Sequence, residues 1–483
     1  MLSQLQPVFP EILLVLVAIA LMMVGVYSKG DTTRTATVGG VLALGVALFA
    51  LAHAGDQTHT TFGGMFVQDG FTVFVKGLIL LATVLTLALS LDFLEREKIS
   101  RFEYPVLVLF ATVGMMVMVS AGDFLSLYVG LELQSLSLYV LAAYQRDNSR
   151  ATESGLKYFV LGSLASGMLL YGISLIYGFA GTTQFTALTQ VLGGEGGHAN
   201  IGVIAGMVFI LAGLVFKVSA APFHMWTPDV YEGAPTSVTA FFAIGPKIAA
   251  FALLVRVLAI PFGELTMQWQ QVIGFVAVLS MIVGSFAGVV QTNIKRLMAY
   301  SSIGHVGFAL VGVVAGHEAG IQGVLIYLAI YLFMNVGVFA IIMTMRRKGQ
   351  LVEGIDDLAG LSKTSPALAY VMTALLFSMA GIPPLAGFWG KFYVFLAAVQ
   401  TGHYTLAIIG MLASVVSAYY YIRIIKIMFM DEPKEALDSA VSRPAGVVLA
   451  LSTAVVVLFT VFPTPLLASA KAAAQVLFMN TAG

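Results

Sequence analysis

Four ionisable side chains lie near the middle of long apolar stretches of this 483-residue sequence: Glu132, Lys217, Lys247 and Lys391. A charge at the centre of a membrane costs about 2.5–3.5 kcal/mol on insertion scales. Such groups are rare in membrane helices and mark ion or proton pathways by default. We therefore expect these four residues to form a proton relay.

A relay of this kind needs groups that bind and release a proton near neutral pH. A free lysine has a pKa of about 10.4, so reaching about 7 takes roughly 4–5 kcal/mol of differential stabilisation. Burial lowers a lysine pKa, and a nearby carboxylate raises it again. We expect a Glu132–Lys217 pair to release its proton toward Lys247 and then Lys391 when the two charges separate. The alternatives are a static Glu132–Lys217 ion pair, and pairing of the other two lysines with helix carbonyl ends.

Weaker candidates surround these four residues. His224 and His305 could pass protons between the lysines, or could be packing residues. Asp229 and Glu232 are placed near the cytoplasmic surface, where they could gather protons or serve as capping and loop residues. Three further cations, for which we expect snorkelling to the interface, lie near helix ends: Lys76, Lys157 and Arg256.

The composition indicates a polytopic membrane protein. Hydrophobic residues make up 59% of the chain and charged residues 10%, whereas soluble proteins carry about 25% charged residues. The zero net charge argues against a nucleic-acid partner. There are no cysteines, which excludes disulfides and iron–sulfur clusters within this chain, and we predict no metal site. The first basic residue is Lys29, so no cleavable signal peptide is expected.

The apolar segments predict an all-α fold with fourteen transmembrane helices. Lysines and arginines of the loops fall almost entirely on one face, and Lys471 is the exception. The positive-inside rule then places both termini on the periplasmic side of a bacterial inner membrane. The predicted spans are 8–28, 35–54, 70–92, 104–121, 122–144, 154–180, 201–230, 235–259, 270–291, 296–315, 320–345, 366–400, 403–428 and 444–468.

Spans 7 and 12 contain prolines and are predicted to be discontinuous, at Pro222 and at Pro383 with Pro384. Broken helices in corresponding places of two halves indicate inverted repeats with a site at the breaks. We predict two inverted five-helix repeats, spans 4–8 and 9–13. The second is not a copy of the first, because Ser378 stands where Lys217 would fall. The predicted units are 1–103, 104–260, 261–430 and 431–483.

Four motifs resemble the antiporter-like membrane subunits of respiratory complex I, the proton-pumping NADH:quinone oxidoreductase. The resemblance spans nearly the whole chain, and its superfamily also includes multisubunit cation/proton antiporters. The motifs are GLELQSLSLY at 130–139, APFHMWTPDVYEGAPT at 221–236, KRLMAYSSIGH at 295–305 and GIPPLAGFWGK at 381–391.

This resemblance implies roles for the same residues. Glu132 and Lys217 would be the coupling pair, Lys247 the central relay and Lys391 the exit-side lysine, with His224, His305 and Lys157 in secondary roles. NADH, FMN, iron–sulfur clusters and quinone would be bound by other subunits and no cofactor by this chain. The partners would be neighbouring membrane-arm subunits and the lipid bilayer. The alternatives are a subunit of a cation/proton antiporter and a spacer that moves no protons.

Overall fold

The computed structural model describes residues 5–54, 57–194, 200–433, 435–438 and 441–479. In this part of the chain there are nineteen α-helices. In the first half they are α1 (Phe9–Tyr27), α2 (Thr33–Ala52), α3 (Gly70–Arg96), α4 (Glu103–Val119), α5 (Phe124–Ala142), α6 (Ser149–Ala180), α7 (Phe185–Gly193), α8 (Ile201–Val218), α9 (Trp226–Gly233) and α10 (Thr236–Ala259). In the second half they are α11 (Thr266–Val289), α12 (Ile294–Val314), α13 (Glu318–Thr344), α14 (Leu361–Thr364), α15 (Pro366–Ala380), α16 (Ala386–Gln400), α17 (Tyr404–Met430), α18 (Arg443–Leu458) and α19 (Thr464–Met479).

Two short antiparallel hairpins complete the regular structure described. Strands β1 (His59–Thr61) and β2 (Phe66–Gln68) pair between α2 and α3, with Thr60 opposite Val67. Strands β3 (Arg346–Arg347) and β4 (Gln350–Leu351) pair after α13. Short 3-10 turns occupy Gln6–Val8, Phe62–Gly64, Gly263–Leu265 and Ile355–Leu358.

The length and composition of the helices fit a multi-pass membrane protein. Eleven segments of the described chain are helical, long and apolar enough to cross a membrane. Three further apolar helices are shorter: α4, α15 and α18. The predicted all-α membrane class is therefore confirmed. The apolar segments at 201–230 and 366–400 each contain two helices instead of one.

The first of these interruptions separates α8 from α9. Helix α8 ends at Val218, and Ser219 then adopts a left-handed conformation with φ 65°. The carbonyl of Phe216, freed at the helix end, accepts hydrogen bonds from the Ser219 N–H and from the indole Nε1 of Trp226. Pro222 lies in the gap, its peptide bond with Ala221 cis. Trp226 is thus the first residue of α9, and its indole N–H also satisfies a carbonyl group at the end of α8.

The second interruption separates α15 from α16. Helix α15 ends at Ala380, and Gly381 follows in the left-handed region with φ 88°. The Ser378 hydroxyl accepts a hydrogen bond from the Gly387 N–H at 2.9 Å, joining the two half-helices across the gap. Pro383 and Pro384, linked by a cis peptide bond, lie within it. Both predicted discontinuities are therefore present.

Three helices form the interior of the molecule. Helices α10, α12 and α13 are buried along almost their whole length, whereas α1, α2 and α6 expose rows of large apolar side chains. Helix α10 packs against α3, α4, α8 and α13. Helix α13 packs against α10, α12 and α16. The lysine on α10 and the histidine on α12 are consequently enclosed by protein on all sides.

Two of the three cations expected to snorkel do not. Lys76 is fully buried and forms an ion pair with Glu11 of α1, with 2.6 Å between Nζ and Oε1. Arg256 is also buried, and its Nη2 donates to both carboxylate oxygens of Asp69 at 2.8 Å. That prediction was wrong because neighbouring helices cover both helix ends, and a carboxylate on a neighbouring element compensates each charge. Lys157 is partly exposed, as expected.

Candidate functional site

Glu132 lies near the middle of α5 and is half-buried. Its Oε1 accepts a short hydrogen bond from the hydroxyl of Ser166, which projects from the adjacent helix α6. The Ser166 hydroxyl also lies 3.2 Å from the hydroxyl of Tyr128, one turn before Glu132. The carboxylate therefore accepts a charge-assisted hydrogen bond from a serine hydroxyl of the neighbouring helix.

Lys217 lies in the last turn of α8, next to the first interruption, and is buried. Its Nζ donates to the hydroxyl of Ser135 at 2.6 Å. Its Nζ also lies 5.7 Å from the centre of the Tyr139 ring. Ser135 is on α5, three residues after Glu132, so it shares a face of that helix with the carboxylate.

No direct ion pair joins Glu132 to Lys217, although the structure describes both residues. Ser166 contacts the carboxylate and Ser135 contacts the ammonium group. The static ion pair considered above is therefore not the arrangement found. The two opposite charges are neighbours whose immediate partners are hydroxyl groups.

Lys247 is on α10, immediately after Pro246, and is buried. Its Nζ donates to the hydroxyl of Ser302 on α12 at 2.5 Å. The Ser302 hydroxyl lies 2.6 Å from the hydroxyl of Tyr331 on α13. The ring of Tyr231 lies 5.4 Å from the ammonium group. Lys247 therefore does not pair with the carbonyl end of a helix, which was the alternative considered above.

His305 follows Ser302 by one turn of α12 and is buried. Its Nδ1 lies 2.6 Å from the hydroxyl of Tyr327, and its Nε2 lies 3.1 Å from the hydroxyl of Tyr421. Both ring nitrogens therefore have a hydroxyl partner that donates or accepts according to the tautomer. Ser301 contacts the hydroxyl of Tyr421 at 2.5 Å, which extends the same cluster.

Lys391 lies on α16, after the second interruption, and is buried. Its Nζ donates to the carbonyl of Ala380 at 2.9 Å and to the hydroxyl of Ser414 at 2.8 Å. Ala380 is the last residue of α15, so this lysine binds the negative end of a half-helix, as one alternative predicted. The ring of Phe308 lies 4.7 Å from the ammonium group.

Helix α12 runs between the two central lysines. Ser302 contacts Lys247, His305 follows three residues later, and Phe308, three residues further, lies under Lys391. Residues three apart lie on one face of a helix. One face of α12 therefore presents a hydroxyl, an imidazole and an aromatic ring between Lys247 and Lys391.

His224 is placed apart from this line. It lies in the gap between α8 and α9 and is half-buried, beside Met225, whose side chain is 65% exposed. Within the described residues no hydrogen bond joins His224 to Lys217 or to Lys247. The structure therefore does not bring this predicted relay residue into contact with the lysines it was expected to connect.

Asp229 and Glu232 belong to an ion-pair cluster at the surface. Asp229 bonds Lys157 and Arg296 at 2.8 Å each, and Glu232 bonds Arg296 at 2.9 Å. Partial burial opposes ionisation of Asp229, but the hydrogen bonds from Lys157 and Arg296 outweigh it and lower the pKa of this carboxyl. A cavity of about 230 Å³ opens beside the cluster. Lys157 is here a surface partner of Asp229 and Glu153.

The partners of the deep charges escaped sequence reasoning. Apart from the carbonyl of Ala380, these partners and those of Ser302 and His305 carry hydroxyl groups, and most come from distant parts of the chain: Ser135, Ser166, Ser302, Ser414, Tyr327, Tyr331 and Tyr421. For Ser135 a signal existed, since it follows Glu132 by one helical turn. The others have no local signal, because hydroxyl residues are common in membrane helices and satisfy themselves on backbone carbonyls.

The family comparison accounts for this arrangement. Residues 121–417 match the family model described as NADH:quinone oxidoreductase/Mrp antiporter, TM. The chain belongs to this family. The matched region contains Glu132, all three deep lysines and both interruptions.

Relatives and solved structures place the chain within the family. It is 65% identical over 475 residues to the NADH-quinone oxidoreductase subunit N of Paramagnetospirillum magneticum, covering 98% of each chain. A subunit of respiratory complex I from Thermus thermophilus has the same fold, with a TM-score of 0.82, 30% identity and coverage of 95% and 98%. A chain of the Mrp complex from Dietzia sp. has a TM-score of 0.86 at 23% identity, covering 99% of this chain and 98% of that one, a likeness of fold.

The segment SGLKYFVLG at 154–162 and Lys391 resemble the subunit N type of the family. The described chain ends with α19, which packs against α3 and α13. The chain is thus similar over nearly its full length to membrane-arm subunits of respiratory complexes.

Proposed function

We propose that this chain works as the subunit N of a bacterial proton-pumping NADH:quinone oxidoreductase and carries protons across the membrane through its deep lysines. The observation that carries the proposal is the polar face of α12, which places Ser302 and His305 between Lys247 and Lys391. Buried ionisable groups in a membrane are expensive, and a continuous set of them is expected to be functional.

The relay begins with Glu132 and Lys217. Ser166 contacts the carboxylate of Glu132, and Ser135 contacts the ammonium group of Lys217. In a medium of low dielectric constant, small movements of α5 against α6 and α8 therefore strongly change the attraction between these two charges. When the carboxylate is near, it stabilises the ammonium form of Lys217. When the carboxylate withdraws, that stabilisation is lost and the proton is released.

The proton then passes to Lys247, His305 and Lys391. An aromatic ring borders each of the first two lysines, Tyr139 beside Lys217 and Tyr231 beside Lys247. From Lys247 onward, Ser302, Tyr331, Tyr327 and Tyr421 supply hydroxyl groups able to both donate and accept. We do not include His224 in this path, and we assign it to the helix break between α8 and α9.

Protons reach the relay from the cytoplasmic side through a polar cavity of about 880 Å³, whose lining includes Glu232, Lys295 and Thr236. The hydroxyl groups of Thr227 and Thr236 are buried and have no hydrogen-bond partner among the described residues. Such groups are normally satisfied by bound water. Thr236 lies eleven residues before Lys247 on α10, which is three turns and about 16 Å along the same helix face. We assign Asp229 and Glu232 to the mouth of this path.

The topology proposed for the whole chain has fourteen transmembrane helices. Eleven long apolar segments in the described chain, and the three shorter apolar helices α4, α15 and α18, support this proposal. Spans 4–8 and 9–13 form the two inverted repeats, each with one interrupted helix, within the units 1–103, 104–260, 261–430 and 431–483. Both termini lie on the periplasmic side of the inner membrane.

NADH, FMN, iron–sulfur clusters and quinone are assigned to other subunits of the complex, so electron transfer takes place outside this chain. The exposed apolar faces of α5 and α6 fit neighbouring membrane-arm subunits, including other antiporter-like ones, and lipid. The second candidate, a subunit of a cation/proton antiporter, is supported by the fold of the Mrp complex. Co-purification of NADH and quinone subunits, or of antiporter partners, separates the two.

The decisive experiment measures proton translocation by the assembled complex. Lys217→Ala and Glu132→Gln are each expected to lower the number of protons moved per NADH oxidised, because each removes one half of the coupling pair. Lys363→Ala, which removes an exposed lysine on α14, is the matched control and should leave the ratio unchanged. A normal ratio in the two site variants, with the complex intact, would support the spacer function and refute the relay.

A further inference from the structure

A groove outside the relay opens between α1, α4, α5 and α6. Its volume is about 690 Å³, within the range of sites that bind small molecules. Its walls are apolar and include Phe102, Leu107, Phe110, Val140 and Phe159. At one side of the groove, α6 closely approaches the end of α5 at Gly155 and Ala143. A Cβ on Gly155 would lie 2.5 Å from the Cβ of Ala143.

Two arginines, Arg101 and Arg146, line the mouth of this groove. Both are exposed, and neither forms an ion pair within the described chain. Other arginines of the same face, Arg296, Arg346 and Arg347, are neutralised by carboxylates. Glu103 also lines the mouth, but no ion pair joins it to Arg101 or Arg146. The mouth of the apolar groove therefore has two guanidinium groups that form no ion pair within the described chain.

The mouth of the groove is basic and its walls are apolar. This order matches a phospholipid that enters from the cytoplasmic leaflet with its headgroup at the mouth. The groove is formed by the end of α1, the start of α4, the end of α5 and the start of α6, which are all cytoplasmic ends in the topology proposed above. Guanidinium groups bind phosphate in a bidentate manner. Basic pockets between membrane helices on the cytoplasmic side fit anionic headgroups, and the apolar walls fit acyl chains.

We infer that this groove binds an anionic glycerophospholipid of the cytoplasmic leaflet, with Arg101 and Arg146 on the headgroup phosphate and an acyl chain between α4, α5 and α6. In a zwitterionic phospholipid the headgroup's own ammonium group already neutralises the phosphate, and an apolar partner helix would bury the two arginines without compensation. The charge at the mouth therefore favours an anionic lipid over either.

The inner end of the groove reaches the relay. Tyr139 lines the groove, and its ring lies 5.7 Å from the Nζ of Lys217. Tyr139 also packs edge-on against Tyr158 at 4.8 Å, and Tyr158 stacks on Trp226 at 4.3 Å. Trp226 is the residue that closes the first helix interruption. An acyl chain in the groove thus packs against the ring beside Lys217. Its effect on Lys217 rests on the proposed relay, whereas the lipid binding rests only on the proposed topology.

The test uses the intact complex in nanodiscs of zwitterionic phosphatidylcholine. A trace of photoreactive phosphatidylglycerol is added, labelled on its acyl chain, and the adducts are mapped by mass spectrometry. We expect adducts in α4–α6 of the wild type. Arg101→Ala/Arg146→Ala should weaken labelling by about fivefold for each arginine removed. Lys363→Ala/Arg443→Ala removes two exposed charges from the same side away from the groove and should label like the wild type.

Three results would overturn the inference: equal labelling by the same probe with a phosphatidylcholine headgroup, labelling unaffected by the double arginine variant, or adducts in a neighbouring subunit in place of α4–α6. Pumping in vesicles with and without phosphatidylglycerol is measured separately. Labelling without any effect on pumping would leave the lipid site in place and refute its link to Lys217. Because labelling needs no proton transfer, failure of the proposed function does not affect the binding result.

Discussion

Each of the four deep charges of this protein is hydrogen-bonded to a serine hydroxyl and none to another deep charge, and Lys391 also binds the carbonyl of Ala380. The hydrogen-bonded pairs are Ser166 with Glu132, Ser135 with Lys217, Ser302 with Lys247 and Ser414 with Lys391. A direct ion pair would fix its two members, because separating it inside the membrane is costly. A hydroxyl accepts from an ammonium group and donates to its neutral form, so it suits a group that changes its protonation state.

The proposed role of hydroxyl groups in proton transfer can be tested most directly at Ser302. Ser302→Ala removes the hydroxyl between Lys247 and Tyr331. A hydrogen bond to a charged group is worth about 1.5–3 kcal/mol, so we expect the transfer step through Lys247 to slow by roughly 10–100-fold. The measurement is proton translocation per NADH oxidised in the assembled complex.

The control for this prediction is Ser302→Thr, which keeps the hydroxyl and should restore part of the pumping. If the alanine variant pumps normally, the Ser302 hydroxyl does not belong to the path. If both variants fail while the complex remains assembled, the effect comes from packing in α12 and not from the hydrogen bond.

Interrupted helices are the elements that bring the lysines to these partners. The gap after α8 places Lys217 at a helix end, and the gap after α15 gives Lys391 the carbonyl of Ala380. Irregular backbone at membrane depth is tolerated only where protein or water satisfies its polar groups. Trp226 does so at the first gap, and Ser378 does so at the second.

The second gap depends on a glycine. A Cβ on Gly387 would lie 1.9 Å from the carbonyl oxygen of Ser378, a backbone atom that cannot turn away. Gly387→Ala is therefore expected to separate α15 from α16, to break the Ser378 bond and to destabilise the subunit by about 1–3 kcal/mol. The measurement is the midpoint of thermal dissociation of the purified complex.

Gly446→Ala is the matched control, because a Cβ at Gly446 of α18 would meet no atom within 4 Å. There the alanine should be neutral or stabilising by about 0.5–1 kcal/mol, since it favours the helix. An equal midpoint for the two variants would show that the two half-helices are not in close contact at Gly387.

At the scale of the whole molecule, buried ion pairs connect the N-terminal helices to the interior. Glu11 and Lys76 join α1 to α3, and Asp69 and Arg256 join the start of α3 to the end of α10. Asp69 also caps α3 through the N–H of Thr72. In the proposed topology both pairs lie toward the periplasmic side, far from the cytoplasmic cavity.

The absence of cysteine from the sequence allows that topology to be tested directly. A cysteine in place of Lys471 should react in intact cells whose outer membrane has been permeabilised, using a membrane-impermeant maleimide. A cysteine in place of Arg443 should react only after the inner membrane is opened, because the positive-inside rule places it in the cytoplasm. The opposite pattern would invert the topology, and equal labelling of both positions would contradict an odd number of crossings between them.

The sequence alone determined which residues carry charge into the membrane and where the helices break. Both are local properties, because the cost of a charge and the effect of a proline depend on the apolar segment around them. Glu132, the three lysines and both interruptions were therefore predictable, as was the family resemblance.

Only the tertiary structure decided what each charge meets. Lys217 and Ser135 are 82 positions apart, and Lys247 and Ser302 are 55 apart. Whether the end of a helix is open to water is equally non-local, which is why Lys76 and Arg256 proved to be buried. Helix packing selects such contacts among many hydroxyl and carboxyl groups of similar local character. The physical reason is that the cost of burying a charge is set within one segment, whereas its compensation comes from another.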